Sequence, residues 1–257
     1  MPTEDLAALE GKTAEQIIAW IGQNYAGGAA LASSFGVEDM VLIDMIARVA
    51  PSITIFSLDT GRLPEETYRL VEAARERYHL PIQVYYPNTA AVERMATEKG
   101  LNLFYGSVEA RKECCRIRKV EPLGRALHGK KAWITGLRRE QSQARGTVAK
   151  GDVDADHGGM LKFSPLADWT EAMVWEYVRA HEVPYSELHD RGFPSIGCAP
   201  CTRAVAPGED MRSGRWWWEQ GTKECGLHEH AAPAAAQSAL RPADAFPAPA
   251  GPAPLPR

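Results

Sequence analysis

The sequence predicts an α/β protein: a parallel sheet flanked by helices, with a loop-rich cap at its C-terminal end. Three observations carry this expectation. Strand-like and helical segments alternate through the first 180 residues. The strand-like runs end in short polar turns rich in Ser, Thr, Asp and Gly. After residue 185 the alternation stops, and Gly, Pro, Cys, Arg and Trp dominate.

Each element has its own signal. "GGAALASSFG" (27–36) is a short, small-residue strand ending in a Ser/Gly turn, and "VEDMVLIDMIARV" (37–49) follows with helical spacing at Val37, Met40, Val41, Asp44 and Met45. "SITIFSLDTG" (52–61) is a β-branched strand with a polar end. Pro64 opens a helix over 64–80 with Glu beside it. "PIQVYYP" (81–87) is a strand, and "TAAVERMATEKG" (89–100) a short helix closed by Gly100. Residues 107–129 read as helix with a bend at Pro122. "KAWITGL" (131–137) and "MLKFSPL" (160–166) are strands, and 168–181 is a helix capped by Asp168 or Thr170. "DVDADH" (152–157) lacks a calcium-loop pattern and reads as a solvated loop. In parallel sheets ligands bind beyond the carboxyl ends of strands, which selects the turns at 33–36, 58–62 and 136–142.

Composition sets the outer bounds. The chain has 257 residues, 45% hydrophobic and 24% charged, with a formal net charge of −4. About 230 residues have globular composition, enough for one catalytic domain over 1–230. Residues 231–257 are Ala/Pro-rich, hold seven of the 18 prolines, and are expected to be disordered. The charge offers no global nucleic-acid footprint. The acidic N-terminus is no secretory signal, and no apolar run is long enough to span a bilayer, so a cytoplasmic protein is expected.

Five cysteines carry the chemistry. In a reducing compartment they are poor candidates for a disulfide framework. Four form two pairs, Cys114–Cys115 and Cys198–Cys201. Their spacing suits zinc or an iron–sulfur cluster. Adjacent thiolates on a helix diverge by about 100° and would crowd one zinc ion, so a cluster is the better match. Core thiols beside a structural zinc half-site are the alternative. The fifth, Cys225, lies near Lys223 and His228, where a cation favours the nucleophilic thiolate; an inert surface thiol is the alternative.

The remaining motifs are individually ambiguous. "SSFG" (33–36) between a strand and a helix presents backbone N–H groups to an anion, or is a plain turn. "LDTGR" (58–62) binds a sugar or base edge, or caps the next turn. Basic runs at "RKECCRIRKV", "GLRRE" and "MRSGR" flank candidate ligands and strand ends, which suggests an acidic small substrate. "RWWWE" (215–219) reads as an anchor for the cap rather than an adenine platform.

Together "SSFGVED", "LDTGRLPEETY", "ECCRIRKVEPL", "WITGLRREQS", "SPLADWT", "GFPSIGCAPCTRAVAPGEDMRSGRWWWE" and "KECGLH" resemble the assimilatory adenylylsulfate (APS) reductases, the iron–sulfur branch of the APS/PAPS reductase family, in family order over about 200 residues. The resemblance implies an adenine-nucleotide α-hydrolase-like fold and a 4Fe–4S cluster on Cys114, Cys115, Cys198 and Cys201. It implies thioredoxin-dependent reduction of APS to sulfite and AMP, in sulfate assimilation and cysteine biosynthesis, with Cys225 as nucleophile through an S-sulfonate. Lys119, one helical turn beyond Cys115, would link cluster and substrate, and His228 would assist Cys225. Ser33, Ser34, Phe35, Gly36, Leu58, Asp59, Thr60, Gly61 and Arg62 would hold the nucleotide. Arg138, Arg212 and Arg215 would clamp phosphate and sulfate oxygens. Expected partners are APS and thioredoxin or a glutaredoxin-like reductant, in a homo-oligomer, with no nucleic acid and no membrane. The alternatives are a PAPS reductase, a non-enzymatic iron–sulfur sensor, which would need a DNA- or partner-binding element, and a zinc-bearing RNA-thiolation enzyme, which would carry SGGxDS where this chain has SSFGVED.

Overall fold

The structure, a computed structural model, describes residues 6–219. Six strands form one sheet: β1 (Ala29–Ser33), β2 (Thr54–Leu58), β3 (Ile82–Tyr85), β4 (Ala132–Ile134), β5 (Gly151–Asp154) and β6 (Met160–Phe163), in the order β3-β2-β1-β4-β6-β5. All pairings are parallel except β5 with β6. The helices are α1 (Ala14–Asn24), α2 (Val37–Val49), α3 (Glu65–Tyr78), α4 (Thr89–Lys99), α5 (Val108–Cys115), α6 (Glu121–Leu127) and α7 (Glu171–Ala180). Beyond α7 the described chain forms only short 3₁₀ turns and loops, as the loss of pattern after residue 185 predicted.

Strand alternation divides the core between the two faces. Ala29, Leu31, Ile55, Ala132 and Ile134 point into the larger cluster, with Ile17 and Ile21 of α1, the apolar face of α2, Leu70 of α3 and Val174 of α7. Ala30, Phe56 and Trp133 point the other way, onto Leu123, Ala126 and Leu127 of α6. Each fully buried Leu, Ile or Phe among them stabilises the fold by about 1.5–3 kcal/mol relative to exposure. Truncating fully buried Leu31 to Ala would cost about 2–5 kcal/mol.

Caps set the helix starts. Thr13 and Gln16 form a reciprocal capping box on α1. Asn88, Ser107 and Thr170 cap α4, α5 and α7, so Thr170 rather than Asp168 starts the last helix. Two expectations need correction. The 152–157 segment is not simply a loop: Gly151–Asp154 is an antiparallel edge strand, and only the 3₁₀ turn Ala155–His157 lies outside the sheet. The long helix over 107–129 does not break at Pro122, which sits in the first turn of α6 where a missing N–H is harmless. The irregularity falls earlier, at Arg116–Val120, which winds as a π-helix. No described helix is long and apolar enough to cross a membrane.

Candidate active site

The sheet order reverses direction at β1. β2 and β3 extend one way and β4 the other, so the crevice lies between the carboxyl ends of β1 and β4. A cleft opens there, lined at its floor by Ser33, Ser34, Gly36, Thr135, Gly136 and Leu137. Buried Asp39, in the first turn of α2, stitches the two turns together. Its Oδ2 accepts from the Ser34 N–H (2.6 Å) and Oγ–H (2.8 Å), and the Gly136 N–H donates to the same carboxyl. Burial pushes the Asp39 carboxyl up to about 6, against the pull of these hydrogen bonds. Phe35 turns left-handed (φ 59°), buries its ring, and donates its N–H to Ser33 Oγ (3.1 Å). The "SSFG" turn therefore uses the Ser34 and Phe35 N–H groups internally. What it presents to the cleft is Ser33, Ser34 and the start of α2 at Gly36, which carries no side-chain cap.

One side of the cleft is cationic. Lys119, Arg145, Arg212 and Arg215 all line it. Lys119 follows Cys115 by four residues through the π turn rather than an α-helical one, and its charge acts on Cys201. Arg215 lies against Gly197, where a Cβ would meet its guanidinium at 2.2 Å. It is held by the Ile196 carbonyl (3.2 Å), and its Nε is buried with no partner among the described residues. Arg138 is elsewhere. Its guanidinium is fully buried between Glu38 (2.9 Å) and Glu140 (3.0 Å) and is not among the residues that line the cleft, whereas Arg145, which the sequence did not single out, is. Ala32, Phe56, Leu58, Leu123 and Trp133 add an apolar lining to the cleft.

The "LDTGR" turn faces two ways. Leu58 lines the cleft. Asp59 caps its own turn, accepting from the Gly61 N–H (2.7 Å) and the Tyr68 hydroxyl (3.0 Å), with Gly61 supplying the left-handed φ of 69°. Thr60 Oγ1 shares a hydrogen bond with Cys198 Sγ (3.2 Å), and the Thr60 carbonyl accepts from Arg118 (2.7 Å). Arg62 donates to Asn102 (2.8 Å), and its carbonyl accepts from the Ala199 N–H (2.8 Å). Thr60 and Arg62 thus tie the sheet to the cap, Asp59 and Gly61 close their own turn, and none of the four lines the cleft.

All four paired cysteines belong to one neighbourhood. Cys114 and Cys201 are buried in an apolar cluster with Met95, Phe104, Ile117 and Trp216, and Cys198 packs against it. Cys115, next along α5, interacts with Arg111. The CxxC loop is pinned by a Thr202–Arg215 bridge and by the Trp216 N–H donating to the Cys201 carbonyl (3.2 Å). Trp216 is fully buried and stacks on Arg111 (4.5 Å), which pairs with buried Glu219 (2.7 Å), so "RWWWE" anchors the cap. Burial pushes the Cys201 thiol up to about 12 and raises that of Cys114, with Cys198 opposing charge on both; Lys119, Arg215, Arg118 and Arg62 pull the other way. Among the described residues no three His, Cys, Asp or Glu side chains group as they would around a single metal ion. Cys114, Cys198 and Cys201 share an apolar neighbourhood, with Cys115 next to Cys114 in the chain; soft sulfur donors of this kind would suit an iron–sulfur group rather than a hard cation.

Sequence reasoning missed Arg145, Ser195 and His189, which line the cleft, while Gln141 belongs to the 136–142 turn it selected. Arg145 and Gln141 lie on or just past the 136–142 turn. His189 and Ser195 had no local signal. Cys225 and His228 lie outside the described residues.

Residues 28–204 match the phosphoadenosine phosphosulfate reductase domain. An adenosine 5'-phosphosulfate reductase of Burkholderia cepacia is 52% identical over 227 residues, 88% of this chain and 90% of that protein. One from Allochromatium vinosum is 54% identical over 198 residues, 77% of each. Among solved structures, the phosphoadenylyl-sulfate reductase of Candida auris, a phosphate complex, superposes with TM-score 0.65 at 28% identity, covering 77% of this chain and 92% of that one. Yeast FAD synthetase, at TM-score 0.51 and 13% identity, shares the fold alone. A matched domain that spans both the crevice and the CxxC loop, and relatives of about half identity along most of their length, show that this chain belongs to the phosphoadenosine phosphosulfate reductase family.

Proposed function

We propose that the protein reduces adenylyl sulfate to sulfite and AMP, with Cys225 as nucleophile and thioredoxin or a glutaredoxin-like dithiol as reductant, in cytoplasmic sulfate assimilation. The observation that carries this reading is the cleft itself. An apolar lining and four cationic side chains share one crevice at the switch point, suiting a purine and a phosphosulfate. The names of the close relatives favour adenylyl sulfate over its 3'-phosphorylated form.

The chemistry balances as two displacements. The Cys225 thiolate attacks the sulfur of adenylyl sulfate, an S–S bond forms, the S–O bond to the phosphate breaks, and AMP leaves with the electron pair. A reductant thiolate then attacks the Cys225 sulfur and releases sulfite. The second reductant thiol closes the disulfide and returns Cys225 as a thiol, so the dithiol is oxidised and sulfur(VI) becomes sulfur(IV). Lys119, Arg145, Arg212 and Arg215 neutralise the phosphate and sulfate oxygens, which would otherwise repel an anionic nucleophile. Cys114, Cys115, Cys198 and Cys201 would hold a 4Fe–4S cluster. Bound there, it would supply electrostatic and structural support.

Mass spectrometry of the anaerobically purified protein mixed with adenylyl sulfate, without reductant, tests the reading. A sulfonate adduct on the peptide bearing Cys225 is expected, absent in Cys225→Ser. Full turnover by Cys225→Ser, or a clear preference for the 3'-phosphorylated nucleotide, would overturn it.

A further inference from the structure

We infer that Gln141 is a positioning residue, which holds the Arg145 guanidinium in place for the phosphate of the bound nucleotide. The inference rests on the nucleotide reading above and adds the group that orients one of its cations. Gln141 ends the 3₁₀ turn Arg139–Gln141, and Arg145 ends the next, Gln143–Arg145. Both residues line the cleft. Arg145 Nη1–H donates to Gln141 Oε1 (2.5 Å).

The Gln141 amide is fully engaged. Its Oε1 also accepts from the Arg138 backbone N–H (3.1 Å). Its Nε2 donates to Glu38 Oε1 (2.9 Å) and to the Gly136 carbonyl (3.3 Å). A guanidinium and a backbone N–H only donate; a carboxylate and a carbonyl only accept. One orientation of the amide satisfies all four partners, and the flipped one satisfies none. Glu38 is itself held by Arg138 (2.9 Å). Gln141 thus stands fixed between the first turn of α2, the turn after β4, and Arg145.

That fixed amide matters because an arginine side chain is long and loses much rotamer freedom when it is ordered. Its guanidinium is a rigid planar fork, so a hydrogen bond at Nη1 directs the remaining N–H groups as well. Donors oriented before the anion arrives need no reorganisation when it binds. The Gln141 oxygen is neutral, so this contact orients Arg145 without offsetting its charge. Arg138, in the same turn, lies instead between two carboxylates.

Calorimetric titration of the full-length holoprotein tests this, with AMP directly and with adenosine, which lacks the phosphate, by displacement. Gln141→Met, which keeps the length and removes the amide, is expected to bind AMP about fivefold more weakly and adenosine within about twofold of wild type. The double variant with Arg145→Met is expected to bind AMP within about twofold of Arg145→Met alone, because Gln141 acts through Arg145. Equal losses for AMP and adenosine, or a loss in the double variant equal to the sum of the single ones, would mark a general effect on the turn and overturn the inference. Undiminished AMP binding by Gln141→Met or by Arg145→Met overturns it as well. If Arg145→Met does not fold, the comparison of AMP with adenosine decides alone. Failure of both Gln141→Met and Gln141→Ala to fold would make Gln141 a residue of the fold and also overturn the inference. Wild type that fails to bind AMP at all sinks the nucleotide reading itself.

Discussion

Asp39 and Gly136 meet across the floor of the cleft so closely that a Cβ on Gly136 would lie 2.4 Å from Asp39 Oδ1. The same Cβ would stand 3.0 Å from the Glu38 side chain. The contact joins the two turns that bound the crevice. Gly136→Ala is expected to destabilise the fold by about 1–3 kcal/mol through overpacking, and to weaken AMP binding at least tenfold as the turns separate. Urea denaturation and calorimetry measure the two effects.

Asp39 also makes stability depend on pH. Its carboxyl is raised from 3.8 to about 6 in the folded protein, so the folded state holds that proton more tightly than the unfolded chain. Its contribution is full below pH 4 and is lost as pH rises through 6. Relative to Asp39→Asn, the wild type should lose about 2 kcal/mol between pH 4 and pH 7, since one unit of pKa is worth about 1.4 kcal/mol. Parallel pH profiles for the two proteins would refute this assignment.

Arg138 and Arg145 should separate cleanly. Arg138 is 1% exposed and paired with Glu38 and Glu140, so Arg138→Met strands buried charge and should cost about 3 kcal/mol of stability. AMP affinity of the folded Arg138→Met protein should change less than threefold. Arg145 lines the cleft, and Arg145→Met should lose at least tenfold in AMP affinity. The opposite ranking in calorimetry would return the clamp to Arg138.

The Thr60 hydroxyl, 3.2 Å from Cys198 Sγ, connects the sheet to the cysteine neighbourhood. Thr60→Val keeps the shape and removes the hydrogen bond, at a cost of about 1 kcal/mol. For the proposed iron–sulfur holoprotein the expected signature is several-fold faster loss of iron to a chelator, followed by visible absorbance, with an unchanged far-ultraviolet spectrum. Unaltered iron loss would place the hydroxyl outside the support of these ligands.

Much of the fold was legible because parallel strands buried on both faces carry strong apolar runs. β5 was not: "GDVD" offers one apolar residue, since an edge strand paired on one side needs little more. α1 carried a full signal in its Thr13/Gln16 capping box and its Ile17, Ile18 and Ile21, and could have been read from them. At 58–62 the polar turn was visible. Nothing local told that Asp59 would cap the turn while Thr60 reached Cys198, 138 residues away.

The sequence by itself determined the α/β class, the three turns at strand ends, the two cysteine pairs and the family, because periodicity, turn chemistry and motif order are local properties of the chain. Only the tertiary structure decided which side chains line the cleft. Arg138 is buried between Glu38, 100 residues distant, and Glu140, while Arg145 and His189 are carried into the lining. A charge goes where its partner is, and that partner is set by how the sheet and its cap pack rather than by neighbours in the chain.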